Sequence, residues 1–553
     1  MYSNKRNVNI LTAVLVGQGI AHAVLCPGSR NAPIVHNLQQ CAGIRCYAAT
    51  DERSAGFLAL GLALRLHQAV AVCVTSGSAL LNLIPAVAEA KYQHVPLVVV
   101  SADRPAAWID QLDGQTLPQP DALKEWVEKT VNLPEPHNSI EEWYCNRLVN
   151  EALIECRRHG AGPVHINVPI TEPLYEFTEP KLPDERIIRF MPSRVDERTS
   201  NVLMERYERS LRPMLVIGQI QGVDGRLVEQ IAHHAAVFSE PLSVAGIQNH
   251  VEEVLLLTNN KMADHRPDLV VYVGGHIVSK SVKEYLRSLV DVEQWYISTD
   301  GRFADTFTHL HGVVECDAET ILSRMAQHNG STQYGRNWHR LLSVAARHAD
   351  GFVPEFGSLA AVQCLERMLH QHAAACSVCY ANSSAIRLAN LFAWHFVYCN
   401  RGLNGIEGTL STAVGISLAS PGEKTFCVIG DLSFFYDETA LWNRQPGGNL
   451  RVLLLNNGGG GIFGKFKGLD ESGARDTFVM ARHHTSAEGI CRSHRVAYRC
   501  VCNGEELQSG ISELIFRESD RPMLLEVMTD IEQDNKVLET YYRTLVNENM
   551  EQN

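Results

Sequence analysis

The sequence reads TFCVIGDLS at residues 425–433 and VLLLNNGGGG at residues 452–461. Each stretch is an apolar run typical of a buried strand, followed by small or polar residues. Because the carboxyl ends of parallel strands open at one edge of a sheet, Asp431 and the pair Asn456-Asn457 should lie close together. Carboxylate, amide and carbonyl oxygens suit a hard cation such as Mg²⁺, which also takes phosphate oxygens as ligands. We therefore predict a site for magnesium and a diphosphate, the alternative being an ordinary βαβ unit in which Asp431 caps a helix.

Length and charge limit the class of protein. The chain has 553 residues, too many for one hydrophobic core, and about three domains are expected. Hydrophobic content of 45% with charged content of 20% is typical of a soluble globular protein. A net charge of −13 argues against nucleic acid or an anionic membrane as the main partner. With no apolar run long enough to span a bilayer, we predict a cytoplasmic protein whose anionic substrates would need locally concentrated arginine or lysine.

The cysteines indicate a reducing compartment. There are fifteen, an odd number, mostly in apolar strand-like or helical context, and we expect no disulfides. The motifs CSVC (376–379) and CVC (500–502) raise the question of a zinc site. The first motif lies on a predicted strand, where residues three apart face opposite sides, so we interpret both motifs as core thiols. The adjacent pair His483-His484 is interpreted as part of a polar loop near the site, not as a metal pair.

Apolar runs alternate with helical patterns along most of the chain, which predicts βαβ units and parallel sheets. Strands are expected near residues 23–26, 45–49, 69–74, 97–100 and 164–168, then 214–217, 269–273 and 295–297, then 377–380, 396–399, 426–429, 452–455, 496–500 and 524–527. A proline-rich linker covers residues 171–194, and a second junction covers residues 326–357. We predict an α/β fold with doubly wound parallel-sheet domains at residues 1–175, 195–335 and 355–553.

Polar turns follow the strands of the first block, where α/β folds place their sites. These turns are PGSRN (27–31), TDER (50–53), TSGS (75–78) and ADRP (102–105), the last leading to Gln115. Ser29, Arg30, Glu52 and Arg104 are the candidate site residues on them. Any one turn could be structural, but four on one sheet edge indicate a binding site.

The pair Gly430-Asp431, a gap of 25 residues and then Asn457 resemble the signature of thiamine-diphosphate (ThDP) enzymes. The resemblance covers nearly the whole chain. It implies that Asp431, Asn457 and the backbone of Gly459 hold Mg²⁺ or Mn²⁺, and that Gly430 and Ser383 contact the cofactor. It also implies that the first block binds the aminopyrimidine and the last block the diphosphate. In this family the two surfaces come from different subunits, so the resemblance implies a homodimer or a homotetramer.

The family also requires an acid beside N1′ of the aminopyrimidine, because that acid makes the 4′-imino nitrogen basic enough to deprotonate C2 of the thiazolium. Glu52 matches this acid, in a desolvated cleft that would favour its neutral form. Ile406, in RGLNGIEG (401–408), matches the apolar residue that bends the cofactor. The alternative for Glu52 is structural, because acidic residues complement the positive end of the helix that follows.

The arginine motifs narrow the resemblance. CPGSRNAP (26–33), ADRP (102–105), NSS (382–384), NRG (400–402) and GIF (461–463) resemble the ThDP-dependent branch that acts in menaquinone biosynthesis. That branch decarboxylates 2-oxoglutarate and adds the remaining four-carbon unit to isochorismate in a 1,4-addition. Both substrates carry two carboxylates, and planar guanidinium groups bind carboxylates through paired hydrogen bonds.

The resemblance divides the candidate residues between the two substrates. Arg387 and Arg401 would bind the part derived from 2-oxoglutarate, with Asn382 and Ser383 as neutral neighbours. The residues assigned to isochorismate are Arg30, Arg104, Gln115 and Lys280, while Ser29, Ile462 and Phe463 would also contact substrate. The structural alternatives are surface ion pairs for the arginines, a solvated Lys280 and core positions for the last two. Two other functions also fit: another ThDP-dependent 2-oxoacid decarboxylase or carboligase, and an inactive nucleotide-binding regulatory module.

Overall fold

The protein is described here by a computed structural model. It covers residues 1–190, 197–243, 250–258, 265–328, 332–372, 375–443, 445–465, 467–469, 471 and 473–552. The chain forms two compact units. Unit 1 consists of Met1–Pro192, Gly402–Thr425 and Tyr436–Leu450, and unit 2 consists of Ser193–Arg401, Phe426–Phe435 and Arg451–Asn553.

The first sheet has six strands in the order β2-β1-β3-β4-β6-β5. Its strands are β1 (His22–Leu25), β2 (Arg45–Ala48), β3 (Val70–Val74), β4 (Leu97–Asp103), β5 (Lys129–Asn132) and β6 (Val164–Pro169). Every pairing in this sheet is parallel. The sequence predicted all of these strands except β5, which lies at an edge of the sheet.

The second sheet has five strands in the order β11-β10-β9-β7-β8, again with parallel pairings. Its strands are β7 (Pro213–Ile217), β8 (Ala236–Ser239), β9 (Leu269–Val273), β10 (Glu293–Ser298) and β11 (Leu310–Glu315). The two strands that the sequence did not predict, β8 and β11, are the two edges of this sheet.

The third sheet repeats the strand order of the first, as β13-β12-β14-β15-β17-β16. Its strands are β12 (Cys376–Tyr380), β13 (Val397–Tyr398), β14 (Lys424–Gly430), β15 (Leu450–Asn456), β16 (Ala497–Val501) and β17 (Met523–Met528). All six were predicted. The α/β class and the doubly wound parallel sheets are therefore confirmed.

Helices connect the strands, as parallel pairing requires. In the first part of the chain they are α1 (Arg6–Gly17), α2 (Ala32–Gln40), α3 (Glu52–Leu66), α4 (Ser78–Asn82), α5 (Ile84–Tyr92), α6 (Gln119–Ala122), α7 (Ser139–Glu155), α8 (Glu197–Arg209), α9 (Gly225–Ala232) and α10 (Val251–Leu257). In the remainder they are α11 (Lys280–Arg287), α12 (Ala318–Ala326), α13 (Gln333–Gly351), α14 (Ser358–His372), α15 (Ser384–Phe392), α16 (Thr409–Ala419), α17 (Asp431–Tyr436), α18 (Glu488–Ser493), α19 (Gly504–Phe516) and α20 (Ile531–Gln552). Short 3₁₀ turns occur at Ala106–Trp108, Lys124–Trp126, Glu438–Trp442, Gly461–Lys465 and Lys467–Leu469, and one π turn at Arg475–Val479.

Helices α3 and α16 pack against each other within unit 1 with their backbones in contact. A Cβ atom on Gly61 of α3 would lie 2.1 Å from the carbonyl oxygen of Thr412, and one on Gly415 of α16 would lie 2.2 Å from that of Leu58. The two backbones touch only because neither glycine carries a side chain. This contact fixes the position of the helix that begins at Glu52.

The predicted linker is irregular as far as the structure describes it, through residue 190; residues 191–194 lie outside the described part. It nevertheless packs along unit 1, where Leu182 and Ile187 contact the apolar core. The second junction, by contrast, is largely the helix α13.

The fifteen cysteines are all present as thiols, and most of them are buried. The interpretation of CVC as core thiols is wrong, because Cys500 and Cys502 are exposed near the end of the edge strand β16. Of the helices within the described ranges, none is both long and apolar enough to cross a bilayer.

Candidate active site

The turn after β1 in unit 1 is built around Arg30 and Asn31. The Asn31 side-chain amide donates to the carbonyl of Cys26 at 2.9 Å and closes the turn. Arg30 is 5% exposed, and its guanidinium donates to the carbonyl of Ile170 at 3.0 Å and to Glu172 at 3.1 Å. Ser29 is exposed beside it. The predicted substrate arginine is thus held by the segment that follows β6, with an exposed hydroxyl next to it.

Glu52 is the first residue of α3, but the helix is capped by its neighbour. Asp51 accepts hydrogen bonds from the backbone N–H of Arg53 at 2.9 Å and of Ser54 at 3.3 Å. The half-buried Glu52 carboxylate instead accepts one bond, from the side chain of Asn82 at 3.2 Å. Cys26 follows β1, and the pKa of its thiol is raised by burial and by the nearby Glu52. Because Asp51 serves as the cap, Glu52 is not required to cap the helix.

The segment Tyr436–Leu450 is tied to the start of α3. Thr439 donates to Asp51 at 2.8 Å, and Arg53 donates to the carbonyl of Tyr436 at 2.7 Å. Asp437 is fully buried and accepts the backbone N–H and the hydroxyl of Ser411 at 2.7 and 2.8 Å. Burial raises the pKa of Asp437 to about 6. Sequence reasoning missed this buried carboxylate, which fixes the first turn of α16.

Arg104 and Gln115 lie in one loop after β4. The Arg104 guanidinium donates to the carbonyl of Gly114 at 2.8 Å and forms an ion pair with Asp113 at 3.1 Å. Gln115 is exposed, with φ of 55°, and its Cα lies 3.1 Å from the position of a Cβ on Gly77. The loop therefore folds back onto the TSGS turn. Sequence reasoning predicted both residues but not the ion pair with Asp113.

Buried amides behind this loop hold the turns together. Gln119 accepts the backbone N–H of Gly77 at 2.7 Å and donates to Asn167 at 2.8 Å. Asn167 donates in turn to the buried carboxylate of Asp103 at 2.8 Å. Burial raises the pKa of Asp103, while Asn167 and the nearby Arg30 oppose that shift. The network joins the turns that follow β3 and β4, and sequence reasoning missed it.

Ile406 lies in the loop that precedes α16, also in unit 1, and is 40% exposed. The loop is held by Glu89 of α5, which accepts the backbone N–H groups of Gly402 and Leu403, each at 2.7 Å. Glu89 is 2% exposed, and burial raises its pKa. An acidic residue inside the apolar helix IPAVAEAKY was the one sequence signal that could have revealed this anchor.

In unit 2, Asp431 follows β14 and is 3% exposed. Its carboxylate accepts backbone N–H groups from Leu432 at 2.7 Å, Gly458 at 2.8 Å and Gly459 at 2.9 Å. His483 lies 3.3 Å from the same carboxylate. Burial raises the pKa of Asp431, which the backbone donors and His483 oppose. The two strand ends quoted at the outset are therefore brought together.

Asn457 and Gly459 each contact a segment outside the glycine loop. The Asn457 side-chain nitrogen donates to Asp534 at 3.0 Å. Gly459 has φ of 148°, and a Cβ there would lie 2.7 Å from the carbonyl oxygen of Met480. Gly430, the other glycine predicted to contact the cofactor, precedes Asp431 and has open space around it.

The donor atoms at this edge fit a hard divalent cation. They are the carboxylate of Asp431, the amide oxygen of Asn457 and the carbonyl of Gly459, all oxygens, and they follow two adjacent strands. Mg²⁺ and Mn²⁺ favour such ligands and complete their shell with water and phosphate. A thiolate or imidazole cluster is a different kind of site, and the described residues contain no group of three His, Cys, Asp or Glu side chains placed for a metal.

Arg401 and Asn382 form the centre of a second group in unit 2. Asn382 accepts from the Arg401 guanidinium at 2.9 Å and donates to the carbonyl of Asn400 at 2.6 Å. Arg401 is 7% exposed and also donates to the carbonyl of Ile277 at 3.4 Å. Its Nε is buried and, within the described residues, lacks a hydrogen-bond partner. Ser383, with φ of 68°, stands at the start of α15.

Basic side chains surround Arg401. Arg387, on α15, has its pKa lowered by burial and by Arg401. Burial and Arg401 also lower the pKa values of Lys283 and His276, neither of which was predicted. Such crowding of cations favours an anionic ligand.

Lys280 differs from this group. Its side chain is 80% exposed and forms an ion pair with Glu284 at 3.3 Å. Ile462 is half-buried and Phe463 is 37% exposed, at the start of the 3₁₀ turn after the glycine loop. Neither of these two residues is a core residue, so the structural alternative for them is not favoured.

Comparison with known proteins defines the class. Residues 6–125 match the family model described as thiamine pyrophosphate enzyme, N-terminal TPP binding domain. Residues 378–527 match the corresponding C-terminal TPP binding domain. The fold is thus that of a ThDP-dependent enzyme.

Relatives of full length narrow this class. A Bacteroides thetaiotaomicron protein named 2-succinyl-5-enolpyruvyl-6-hydroxy-3-cyclohexene-1-carboxylate synthase is 45% identical over 99% of this chain and 100% of its own length. A protein of the same name from Phocaeicola vulgatus is 44% identical over 99% of this chain and 100% of its own length. Another from Porphyromonas gingivalis is 34% identical over 98% of this chain and 97% of its own length. The chain belongs to the 2-succinyl-5-enolpyruvyl-6-hydroxy-3-cyclohexene-1-carboxylate synthase family.

Proposed function

We propose that this protein decarboxylates 2-oxoglutarate with ThDP and adds the remaining four-carbon unit to isochorismate, in menaquinone biosynthesis. Carbon dioxide leaves, a carbon–carbon bond forms at the β-carbon of isochorismate, and one proton is taken up. The product is 2-succinyl-5-enolpyruvyl-6-hydroxy-3-cyclohexene-1-carboxylate. The observation that carries this proposal is the buried Arg401 beside Asn382, whose Nε has no hydrogen-bond partner among the residues that the structure describes, in a chain whose full-length relatives bear that synthase name.

Asp431, Asn457 and Gly459 would hold Mg²⁺ or Mn²⁺, and the cation would hold the diphosphate of the cofactor. Gly430 and Ser383 would line the cofactor site. ThDP, when bound, supplies the carbon that adds to the 2-oxoacid and the electron sink that makes decarboxylation possible. The three oxygen donors after β14 and β15 support this assignment.

Glu52 would share its proton with N1′ of the aminopyrimidine. The capping of α3 by Asp51 supports this role, because it leaves the Glu52 carboxylate with one weakly held neighbour, Asn82. Ile406, exposed on the loop that Glu89 anchors, would provide the apolar support under the cofactor rings. The metal site and Glu52 belong to different units of the chain. We propose that the two surfaces come from different subunits of a homodimer, which would pair further into a homotetramer.

The substrate carboxylates would bind to the cationic side chains. Arg387 and Arg401 would take the 2-oxoglutarate-derived part, with Asn382 and Ser383 as hydrogen-bonding neighbours. Isochorismate would be held by Arg30, Arg104, Gln115 and Lys280. Ser29, Ile462 and Phe463 would also contact substrate. For Lys280, binding would require exchange of the ion pair with Glu284 for a substrate carboxylate, which its exposure permits.

The three sheets support functional domains with the boundaries expected from the sequence. Residues 1–175 would bind the pyrimidine, residues 195–335 would form the central domain, and residues 355–553 would bind the diphosphate and metal. A cytoplasmic location is supported by the cysteine content, because fifteen cysteines, an odd number mostly in apolar context, are typical of a protein from a reducing compartment.

The decisive experiment supplies the purified protein with ThDP, Mg²⁺, 2-oxoglutarate and isochorismate, and follows carbon dioxide and isochorismate together. We expect equal amounts of carbon dioxide released and isochorismate consumed, with the product identified by mass. Release of carbon dioxide without loss of isochorismate would contradict the proposal and favour a simple decarboxylase. Tight binding of ThDP without turnover of any 2-oxoacid would favour a regulatory module.

A further inference from the structure

The orientation of the Asn457 amide decides whether this residue can bind a metal. An amide has one oxygen, which accepts, and one nitrogen, which only donates. Magnesium and manganese bind the oxygen. A half-turn about the last side-chain bond exchanges the two atoms at almost no steric cost, so something else must select the useful orientation.

Asp534 selects the orientation of the Asn457 amide. Its carboxylate accepts the Asn457 side-chain N–H at 3.0 Å. A carboxylate has no hydrogen to donate, so the opposite orientation of the amide would bring two oxygens face to face. The oxygen of Asn457 is therefore directed away from Asp534. A hydrogen bond to a charged acceptor also polarises the amide and increases the negative charge on its oxygen.

Asp534 is itself held in place. It lies in the first turn of α20 and accepts the backbone N–H and the hydroxyl of Ser358 at 2.8 and 2.6 Å. Thr529 donates to the same carboxylate at 3.1 Å. These donors come from the start of α14 and from the turn after β17, so the carboxylate has little freedom to rotate.

We propose that Asp534 is a positioning residue for the divalent cation, which keeps the Asn457 amide oriented with its oxygen available as a ligand. This inference rests on the proposed function, in which Asp431, Asn457 and Gly459 bind the metal. Carboxylates that orient metal ligands in this way commonly contribute a factor of roughly 10 to 100 in metal affinity.

The test measures binding of Mn²⁺ to the full protein in the presence of ThDP, from the signal of free Mn²⁺ in electron paramagnetic resonance. Asp534→Asn should weaken Mn²⁺ binding by roughly 10- to 100-fold, because the new amide can donate to the oxygen of Asn457 and turn it. Thr529→Val is the matched control, since it removes another donor to the same carboxylate and leaves the bond to Asn457. We expect less than about a threefold change for that variant.

A double variant separates orientation from simple loss of structure. In Asn457→Asp both terminal atoms are oxygens, so the ligand no longer needs to be oriented, although two carboxylates then repel each other. Adding Asp534→Asn removes that repulsion and supplies a donor. The combined variant should therefore bind Mn²⁺ more tightly than either single variant, and all variants should keep a thermal midpoint close to that of the unmodified protein.

Mn²⁺ affinity of Asp534→Asn equal to that of the unmodified protein would overturn the role of Asp534 and leave the metal site intact. Equal weakening by Asp534→Asn and Thr529→Val would overturn it as well, because general disturbance would then explain both. If the unmodified protein bound no Mn²⁺ with ThDP, the proposed function itself would fail.

Discussion

The carboxylate of Asp437 accepts both the backbone N–H and the hydroxyl of Ser411, at 2.7 and 2.8 Å, in the first turn of α16. No part of the Asp437 side chain is exposed, and the nearest cation, Arg53, lies 3.9 Å away while also contacting Asp51. Burial without a close ion pair makes the charged form of Asp437 costly. The start of α16 is thus held by an acid that retains its proton more easily than usual.

The free energy of unfolding should consequently fall as pH rises from about 4 to about 6. The pKa of Asp437 is raised from 3.8 to about 6, so the folded protein binds this proton more tightly than the unfolded chain does. The contribution is fully present below about pH 4 and is lost as pH approaches 6, a change on the order of 3 kcal/mol. Relative to the unmodified protein, Asp437→Asn should gain about that much between pH 4 and pH 7, measured by urea unfolding.

Asp121→Asn serves as the control for this comparison, because Asp121 is exposed in α6. The difference in unfolding free energy between that variant and the unmodified protein should stay nearly constant with pH. A constant difference for Asp437→Asn too would rule out the titration assigned to Asp437.

Glu52→Gln should leave ThDP binding unchanged and reduce kcat by roughly 100-fold or more, because glutamine cannot share a proton with N1′. Calorimetry with ThDP and Mg²⁺ and steady-state kinetics check the two halves of this expectation. Glu505→Gln is the matched control, since Glu505 is also an acidic first-turn residue and is exposed in α19. Near-normal turnover of Glu52→Gln would remove Glu52 from its role.

Arg401→Ala should raise the KM for 2-oxoglutarate more than that for isochorismate. A hydrogen bond to a charged group is worth about 1.5 to 3 kcal/mol, which corresponds to roughly a 10- to 150-fold change. The matched control is Arg226→Ala, because Arg226 has a side chain 86% exposed and pairs only locally with Asp224. An unchanged KM for 2-oxoglutarate in Arg401→Ala is the result that would contradict the assignment.

Gly459→Ala should weaken divalent-metal binding by about tenfold or more and lower stability by about 1 to 3 kcal/mol. The backbone there has φ of 148°, and the added carbon would lie 2.7 Å from the carbonyl oxygen of Met480. Gly489→Ala is the control, as that position is helical with open space around it. Titration of Mn²⁺ against both variants checks this, and equal affinities would show that the loop tolerates the side chain.

The sequence was most informative about buried central strands. Runs such as AVAVCV and VLLL are apolar throughout, because strands inside a parallel sheet are covered on both faces. The three missed strands, KTVN, AVFS and LHGVVE, are all sheet edges, which are short or partly polar and so resemble loops. Periodicity alone could not distinguish them.

The residues of the candidate site also divide into those that could be predicted from the sequence and those that could not. Asp431 and Asn457 could be proposed because their spacing follows from two strand ends, and the two glycines that follow Asn457 donate to Asp431 in the structure. Asp437 and Asp534 could not, because each acts on a segment far away in the sequence, and a single sequence does not contain that pairing. For Glu89 the sequence offers an acid inside an apolar helix, but not the loop that this acid holds. These missed residues hold the site in shape.

The glycine contact between α3 and α16 implies that this enzyme can be inactivated without any change to its chemistry. Gly61 lies nine residues beyond Glu52 in the same helix, about 13 Å along the axis. One extra methyl group there, or on Gly415, would act as a wedge and tilt the whole helix, because the opposing carbonyls are barely more than 2 Å away. Harmful natural variants should therefore collect along this seam as readily as around the coenzyme.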